Sequence, residues 1–254
     1  MNLLLTFDLE EYERAGEKGF DIGYKGGKIV QKLLERTGIP ATFFVTASFF
    51  LKFPDFVKEL SEDHEIAFHG FNHHDDYEVM PEDEAAKTLI KGKKLVEQGL
   101  SLNVEGFRAP RMRPPSYSVL KRAKFVYSSS LHPTYVPGRY NHMRAPRSPF
   151  LTEDVVEIPV SVAPVIRLPL SWVWFRQLGV IYARIVTMTI HNYLCIYFHP
   201  WEFVPLAGYG GFTHTRNTGA PLEHALENYL KWLSPQVTPM KMGEFAKEFI
   251  EKGK

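Results

Sequence analysis

Two hydrophobic rhythms alternate along this chain. Short uninterrupted apolar runs, bounded by polar or turn-forming residues, read as buried strands, and segments with apolar residues at helical spacing read as amphipathic helices. Residues 3–7 form the first such run. Residues 26–36 follow, with Ile29, Val30, Leu33 and Leu34 on one helical face and Gly38 as the stop signal. The pattern then predicts a strand at 41–45, a short helix at 54–60, a strand at 65–68 and a long amphipathic helix at 81–98 closed by Gly99. Strands at 104–107 and 125–128 flank a helix at 116–123. Strands at 155–160 and 193–198 precede helices at 221–233 and 242–252.

Strands that alternate with helices favour a parallel sheet, and this many β/α units in 254 residues predict a closed α/β barrel formed by residues 1–254 as a single domain. The stretch 133–149, rich in Pro, Arg and Tyr, predicts a long excursion loop of the kind that covers sites. Residues 168–190 carry Trp172, Trp174, Phe175, Ile181 and Tyr182 among arginines. That composition fits two readings, a core helix or a segment in peripheral contact with a membrane.

Composition narrows the partners. Lys plus Arg number 30 and Asp plus Glu 29, a formal net charge of +1, which gives no basic surface for nucleic acid. A lone cysteine, Cys195, excludes an internal disulfide framework. No uncharged apolar run reaches the roughly 18 residues of a transmembrane helix, because Arg167, Arg176 and Arg184 interrupt the best candidate. The start of the sequence lacks the basic region and cleavage site of a signal peptide, so the expected location is cytoplasmic.

In parallel barrels the chemistry sits at the carboxyl ends of strands. Here those ends deliver Asp8 and Glu10, His69 and His73, Arg108, and His199 with Trp201 and Glu202. Two histidines four positions apart at a strand end can aim both imidazoles at one divalent metal, provided that a helical turn follows the strand. Asp8 and Glu10 share one side of their strand by alternation, while Leu9 faces the other.

The ordered set Thr6-Phe7-Asp8, His69-x-x-x-His73, Phe107-Arg108-x-Pro110 and His199-Pro200-Trp201-Glu202 resembles the polysaccharide deacetylase family, also called carbohydrate esterase 4 or NodB-homology enzymes. The likeness is to the branch with Thr-Phe-Asp-x-Glu and His-Pro-Trp-Glu motifs, and it spans nearly the whole chain. It implies a distorted (β/α)7-type barrel and metal-dependent hydrolysis of the acetamide of an N-acetylated sugar or polysaccharide. By the same resemblance Asp8 is the base, Arg108 orients it, His199 is the general acid, and Glu10, His69 and His73 hold a divalent metal, zinc above others. The peptide of Arg111 falls where the family places an oxyanion donor. Arg111, Tyr127, Trp201 and Glu202 are the expected substrate contacts, with Tyr12 and Trp172 as further sugar-stacking aromatics.

The sequence departs from the commonest family pattern at two places. Leu9 stands where many members carry a second aspartate, which moves the third ligand to Glu10. Ser128, Ser129 and Ser130 occupy the region where an aspartate usually tunes the acid histidine, so the partner of His199 is neutral or comes from elsewhere. Arg111 and Arg113 fit either an acidic group on the substrate or a solvated loop. Two other functions stay open at this level, hydrolysis of a small or cyclic amide and glycan binding without turnover.

Overall fold

The computed structural model describes residues 1–253. Strand β1 (Asn2–Leu9) runs into helix α1 (Gly19–Thr37), which starts about two turns earlier than the apolar pattern predicts. Gly19, Gly23, Gly26 and Gly27 depress the helical signal of that first half. Packing leaves no room for a Cβ at any of them, least of all at two: a Cβ on Gly23 would lie 2.3 Å from the carbonyl oxygen of Glu10, and one on Gly26 would lie 1.9 Å from that of Pro200. Gly38 caps the helix in the left-handed region at φ 64°, as expected.

Strand β2 (Thr42–Val45) leads into helix α2 (Ala47–Lys52), a short element absent from the predicted set. The Thr46 hydroxyl caps it by accepting the Phe49 N–H at 3.2 Å. Helix α3 (Pro54–Asp63), strand β3 (Glu65–Phe68) and helix α4 (Glu82–Leu100) follow. Gly99 does not end α4; the left-handed cap is Ser101 at φ 54°, and Gly99 lies inside the helix where Phe50 packs against it. Strand β4 (Gly106–Phe107), helix α5 (Tyr117–Arg122) and strand β5 (Tyr127–Ser128) come next. The expected excursion contains a hairpin of β6 (Tyr135–Val136) and β7 (Tyr140–Asn141). The chain then forms β8 (Phe150–Thr152), β9 (Val155–Glu157), helix α6 (Trp172–Thr187) and β10 (Tyr193–Phe198). Helices α7 (Phe212–Thr215) and α8 (Ala220–Leu233), strand β11 (Thr238–Pro239) and helix α9 (Met242–Lys252) complete it.

The sheet runs β10-β1-β2-β3-β4-β5-β9-β8, and every pair but the last is parallel. The parallel strands curl into a half-barrel and do not close into the expected full barrel. After β9 the chain meets β10 at Ser161: the Ser161 N–H donates to the Cys195 carbonyl at 2.9 Å, and the Cys195 N–H to Ser161 Oγ at 2.9 Å. Alternation along β1 sorts the core. Leu3, Leu5, Phe7 and Leu9 join the large cluster under the helices. Leu4 points inward to Phe44, Ala67, Tyr127 and Cys195, where α9 packs Met242 and Ala246. Thr6 and Asp8 therefore face the interior too, with Asp8 at its carboxyl end. Among the described residues no helix is long and apolar enough to cross a membrane.

Candidate functional site

Arg108 anchors the interior. Its fully buried guanidinium donates to Asp8 Oδ1 at 2.7 Å, Thr6 Oγ1 at 2.8 Å, the Ser129 carbonyl at 2.9 Å and Ser129 Oγ at 3.0 Å. It also lies 4.1 Å from the Phe44 ring centroid. Burial works against the charge, yet Asp8 outweighs it and raises the guanidinium above its ordinary value. Asp8 is thereby fixed through one oxygen, and Oδ2 is left toward the cleft, 4.0 Å from His199 Nε2.

Glu10 lies on the same side, as alternation requires, and its Oε2 meets His73 Nδ1 and, at 3.2 Å, His69 Nε2. His69 Nδ1 lies 2.8 Å from the Arg108 carbonyl, which only accepts, so Nδ1 carries a hydrogen and Nε2 is the atom turned to Glu10. Two imidazole nitrogens thus converge on one carboxylate oxygen. Burial alone would push Glu10 up, but His73 and His69 hold its carboxyl well below the usual range. Burial would lower His73; Glu10, Glu13 and Glu11 instead raise it to about 9. One ligand atom from each of Glu10, His69 and His73 falls within 4.8 Å of the others, and this two-imidazole, one-carboxylate set fits a divalent metal.

No helical turn follows β3. His73 sits instead on a loop held by its own side chains: Tyr77 bonds Asp75 at 2.7 Å and the Phe71 N–H at 2.9 Å. Gly70 makes the turn at φ 84°, and a Cβ there would press on Tyr77. Arg111 fastens the loop from outside, donating to the carbonyls of His73 at 3.2 Å and His74 at 2.7 Å. Its guanidinium is thus committed to the protein, although the residue lines the cleft. Arg113 is likewise engaged, with Asp76 at 2.5 Å and Glu78 at 2.6 Å. His74 is exposed at the surface.

His199 closes the far wall. Its ring stacks on Trp201 at 4.7 Å between centroids and meets Trp172 edge-on at 5.6 Å. Glu202 is not a substrate contact: it is wholly buried behind the imidazole, with Oε2 3.5 Å from Nδ1 and accepting the His199 N–H at 3.0 Å. Its other oxygen pairs with buried Arg176 at 3.0 Å. Glu202, three positions after the histidine itself, is the carboxylate nearest Nδ1, which makes no hydrogen bond to it. Trp201 packs between His199 and Tyr12 and aims Nε1 at Glu10, 3.4 Å away, so it braces the site more than it faces solvent. Tyr127 lies elsewhere: it is buried inside the half-barrel, its hydroxyl on Glu65 at 2.9 Å. Strand β5 has only two residues, too few for alternation to foretell that direction.

The cleft is also lined by Glu11, Glu13, Arg139, Tyr140 and His214, which the sequence reading did not single out. Glu13 reaches His73 Nε2 at 3.3 Å; its signal was the acidic run that continues from Glu10. Arg139 and Tyr140 come from the β6–β7 excursion, which bears on the site as its length suggested.

Residues 18–127 match the polysaccharide deacetylase family, and residues 129–232 match a domain of unknown function, DUF3473. The first match contains His69, His73 and Arg108; Asp8 and Glu10 precede it, and His199 falls in the second. No curated protein matches the sequence. A Mycobacterium smegmatis protein assigned to the polysaccharide deacetylases has the same fold, with a TM-score of 0.71 and 17% identity over 99% of this chain and 91% of that one. Puue allantoinase shares it at a TM-score of 0.62 and 15% identity, covering 97% of this chain and 89% of that one. So does a CE4 family pseudoenzyme from Bacillus anthracis, at 0.55 and 14%, covering 92% and 60%. A fold common to these three does not choose among their chemistries. Residues 18–127 thus resemble the polysaccharide deacetylase domain, and the sheet has the NodB-like fold of those enzymes.

Proposed function

We propose that the cleft hydrolyses the acetamide of an N-acetylated sugar or polysaccharide, with zinc held by Glu10, His69 and His73. The observation that carries this reading is the convergence of Asp8 and His199 beside that triad: His199 Nε2 stands 4.0 Å from Asp8 Oδ2 and 3.9 Å from Glu10 Oε1. A divalent ion there would polarise the acetyl carbonyl and bring the pKa of the attacking water toward neutrality. Asp8 Oδ1 is committed to Arg108, so Oδ2 is the atom that takes the proton of that water. The tetrahedral oxyanion is met by the peptide N–H of Arg111. Imidazolium His199 then gives its Nε2 proton to the leaving nitrogen while Glu202 faces Nδ1, and acetate and a free amine result. Half-buried Trp172 and Tyr140 supply aromatic walls suited to a sugar ring.

The test joins metal analysis of the purified protein with acetate release from N-acetylglucosamine oligomers. Bound metal near one equivalent is expected, with acetate release that Asp8→Asn and His199→Ala each lower by about 100-fold or more. Release that survives Asp8→Asn would overturn the assigned roles. Full metal occupancy without any hydrolysis would favour the glycan-binding barrel, and preferential turnover of cyclic amides would reassign the substrate.

A further inference from the structure

We infer that the face formed by the β6–β7 hairpin, residues 163–170 and the outer side of α6 docks on an anionic membrane surface, and that the substrate is a lipid-linked N-acetylated sugar; the second clause rests on the deacetylase reading above. Exposed apolar side chains concentrate there: Val165 is 87% exposed, Ile166 64%, Ile181 76%, Ile185 56% and Met188 61%. Ile181, Ile185 and Met188 recur at helical spacing along the second half of α6, beyond the break that Gly179 makes at φ 77°. Tyr135, Met143, Ile166, Leu168 and Trp174 line a shallow groove beside them.

Charge selects the occupant. From 106 to 152 and from 158 to 201 the sequence holds no Asp or Glu. Arg139, Arg144 and Arg147 are exposed and Arg167 and Arg184 half-buried, and among the described residues none of the five pairs with a carboxylate. Arg36, Arg113 and Arg122 elsewhere on the surface have acidic partners, while exposed Arg14 and Arg216 meet His214 and the Phe212 ring. An apolar surface rimmed by unpaired arginine and tryptophan matches the interface of an anionic bilayer. A two-fold dimer through this face would set the same arginines against themselves, which disfavours a second copy.

The face also continues into the cleft. Tyr140 and Trp172 line the catalytic pocket, while their near neighbours Asn141 and Trp174 line the groove. A sugar held in the cleft by its acetamide would leave its lipid anchor running along the apolar face.

Flotation of the purified protein with phosphatidylcholine vesicles, with and without phosphatidylglycerol, tests this. The protein is expected to float with the anionic vesicles and to be released by salt. Ile181→Asp with Ile185→Asp, and separately Arg144→Glu, should each weaken binding by about tenfold or more. Acetate release from soluble oligomers should stay within about twofold in these variants, while release from vesicle-embedded N-acetylglucosaminyl lipid falls with the binding. No flotation with anionic vesicles would overturn the inference, as would flotation that the variants leave unchanged. A concentration-dependent dimer dissolved by Ile181→Asp would assign the face to a second copy instead. Flotation without acetate release would keep the membrane face and remove the deacetylase reading.

Discussion

Glu202 and Arg176 form a buried pair behind His199, and what that pair contributes can be separated from packing. Glu202→Gln keeps the volume and removes the charge that faces Nδ1, so kcat for acetate release is expected to drop about 10- to 100-fold with KM nearly unchanged. Glu202→Asp should fall between the two. Because Gln leaves Arg176 without its carboxylate, a stability loss of about 3–5 kcal/mol accompanies the change, and the kinetics belong well below the melting transition. A folded Gln variant with wild-type kcat would remove Glu202 from proton delivery. His132 gives a pH test. Burial, helped by Arg108 and His142, pushes it down from 6.5 to about 3. The unfolded chain therefore binds this proton first as pH falls, and stability contributed at pH 7 is lost between 6.5 and about 3, by about 1.4 kcal/mol per pH unit. Between pH 7 and 5, His132→Phe should lose about 2 kcal/mol less than the wild type in urea titrations. An equal loss would mean that His132 titrates normally. That Asp8, Glu10, His69, Arg108 and His199 stand at one end of the sheet was legible because strand ends and alternation fix where such side chains go, whereas His73 comes from a loop and not from the helical turn its spacing assumed. The directions of Glu202, Arg111 and Tyr127 depend on a tight turn, a left-handed residue and a two-residue strand, and none of these has a period to read.

Helix α1 shows why element boundaries were less legible than the elements themselves. Its first half is glycine-rich, which a propensity argument counts against a helix, yet the glycines are what let the helix lie directly on two site segments. Gly23 abuts the carbonyl of Glu10, one corner of the Glu10, His69 and His73 cluster, and Gly26 abuts that of Pro200, next to His199. A methyl group at Gly26 would meet backbone, not a flexible side chain. Although Ala is the better helix former by up to about 1 kcal/mol, the clash should win, with a net destabilisation of about 1–3 kcal/mol for Gly26→Ala. Since the displaced segment carries His199, acetate release should fall more than stability alone explains, whereas Gly38→Ala, remote from the site, should cost stability only. Thermal melts and kcat on the two variants check this, and a Gly26→Ala protein with wild-type kcat would show that α1 does not set the His199 turn. The mistaken stop at Gly99 has the same cause: glycine there admits the Phe50 ring and does not end a helix. Strand β10 and helix α9, apolar or amphipathic throughout, were read to the residue.

At the scale of the whole molecule, two family matches meet near residue 128, in the middle of β5, yet the sheet passes through that point without interruption. Strand β1 makes the consequence concrete. It pairs with β2 from the first half along Thr6 to Leu9 and with β10 from the second half along Asn2 to Phe7. Without the second half β1 becomes an edge, its carboxyl end loses His199, and β5 loses its partner β9. The curl of parallel strands was legible from the β/α rhythm, but the seam was not, because a junction made by a few hydrogen bonds of Pro159 and Ser161 with Tyr193 and Cys195 leaves no hydrophobic pattern. Long-range pairing of this kind predicts one cooperative unfolding transition for the full chain, with near- and far-ultraviolet circular dichroism changing together in guanidinium. A fragment of residues 1–128 exposes an apolar sheet edge and should give neither a cooperative transition nor amide protection, and it should aggregate through that edge. A 1–128 fragment that melts cooperatively and holds protected amides in β1 would show that the family boundary is also a folding boundary, and that the second half docks onto a preformed sheet.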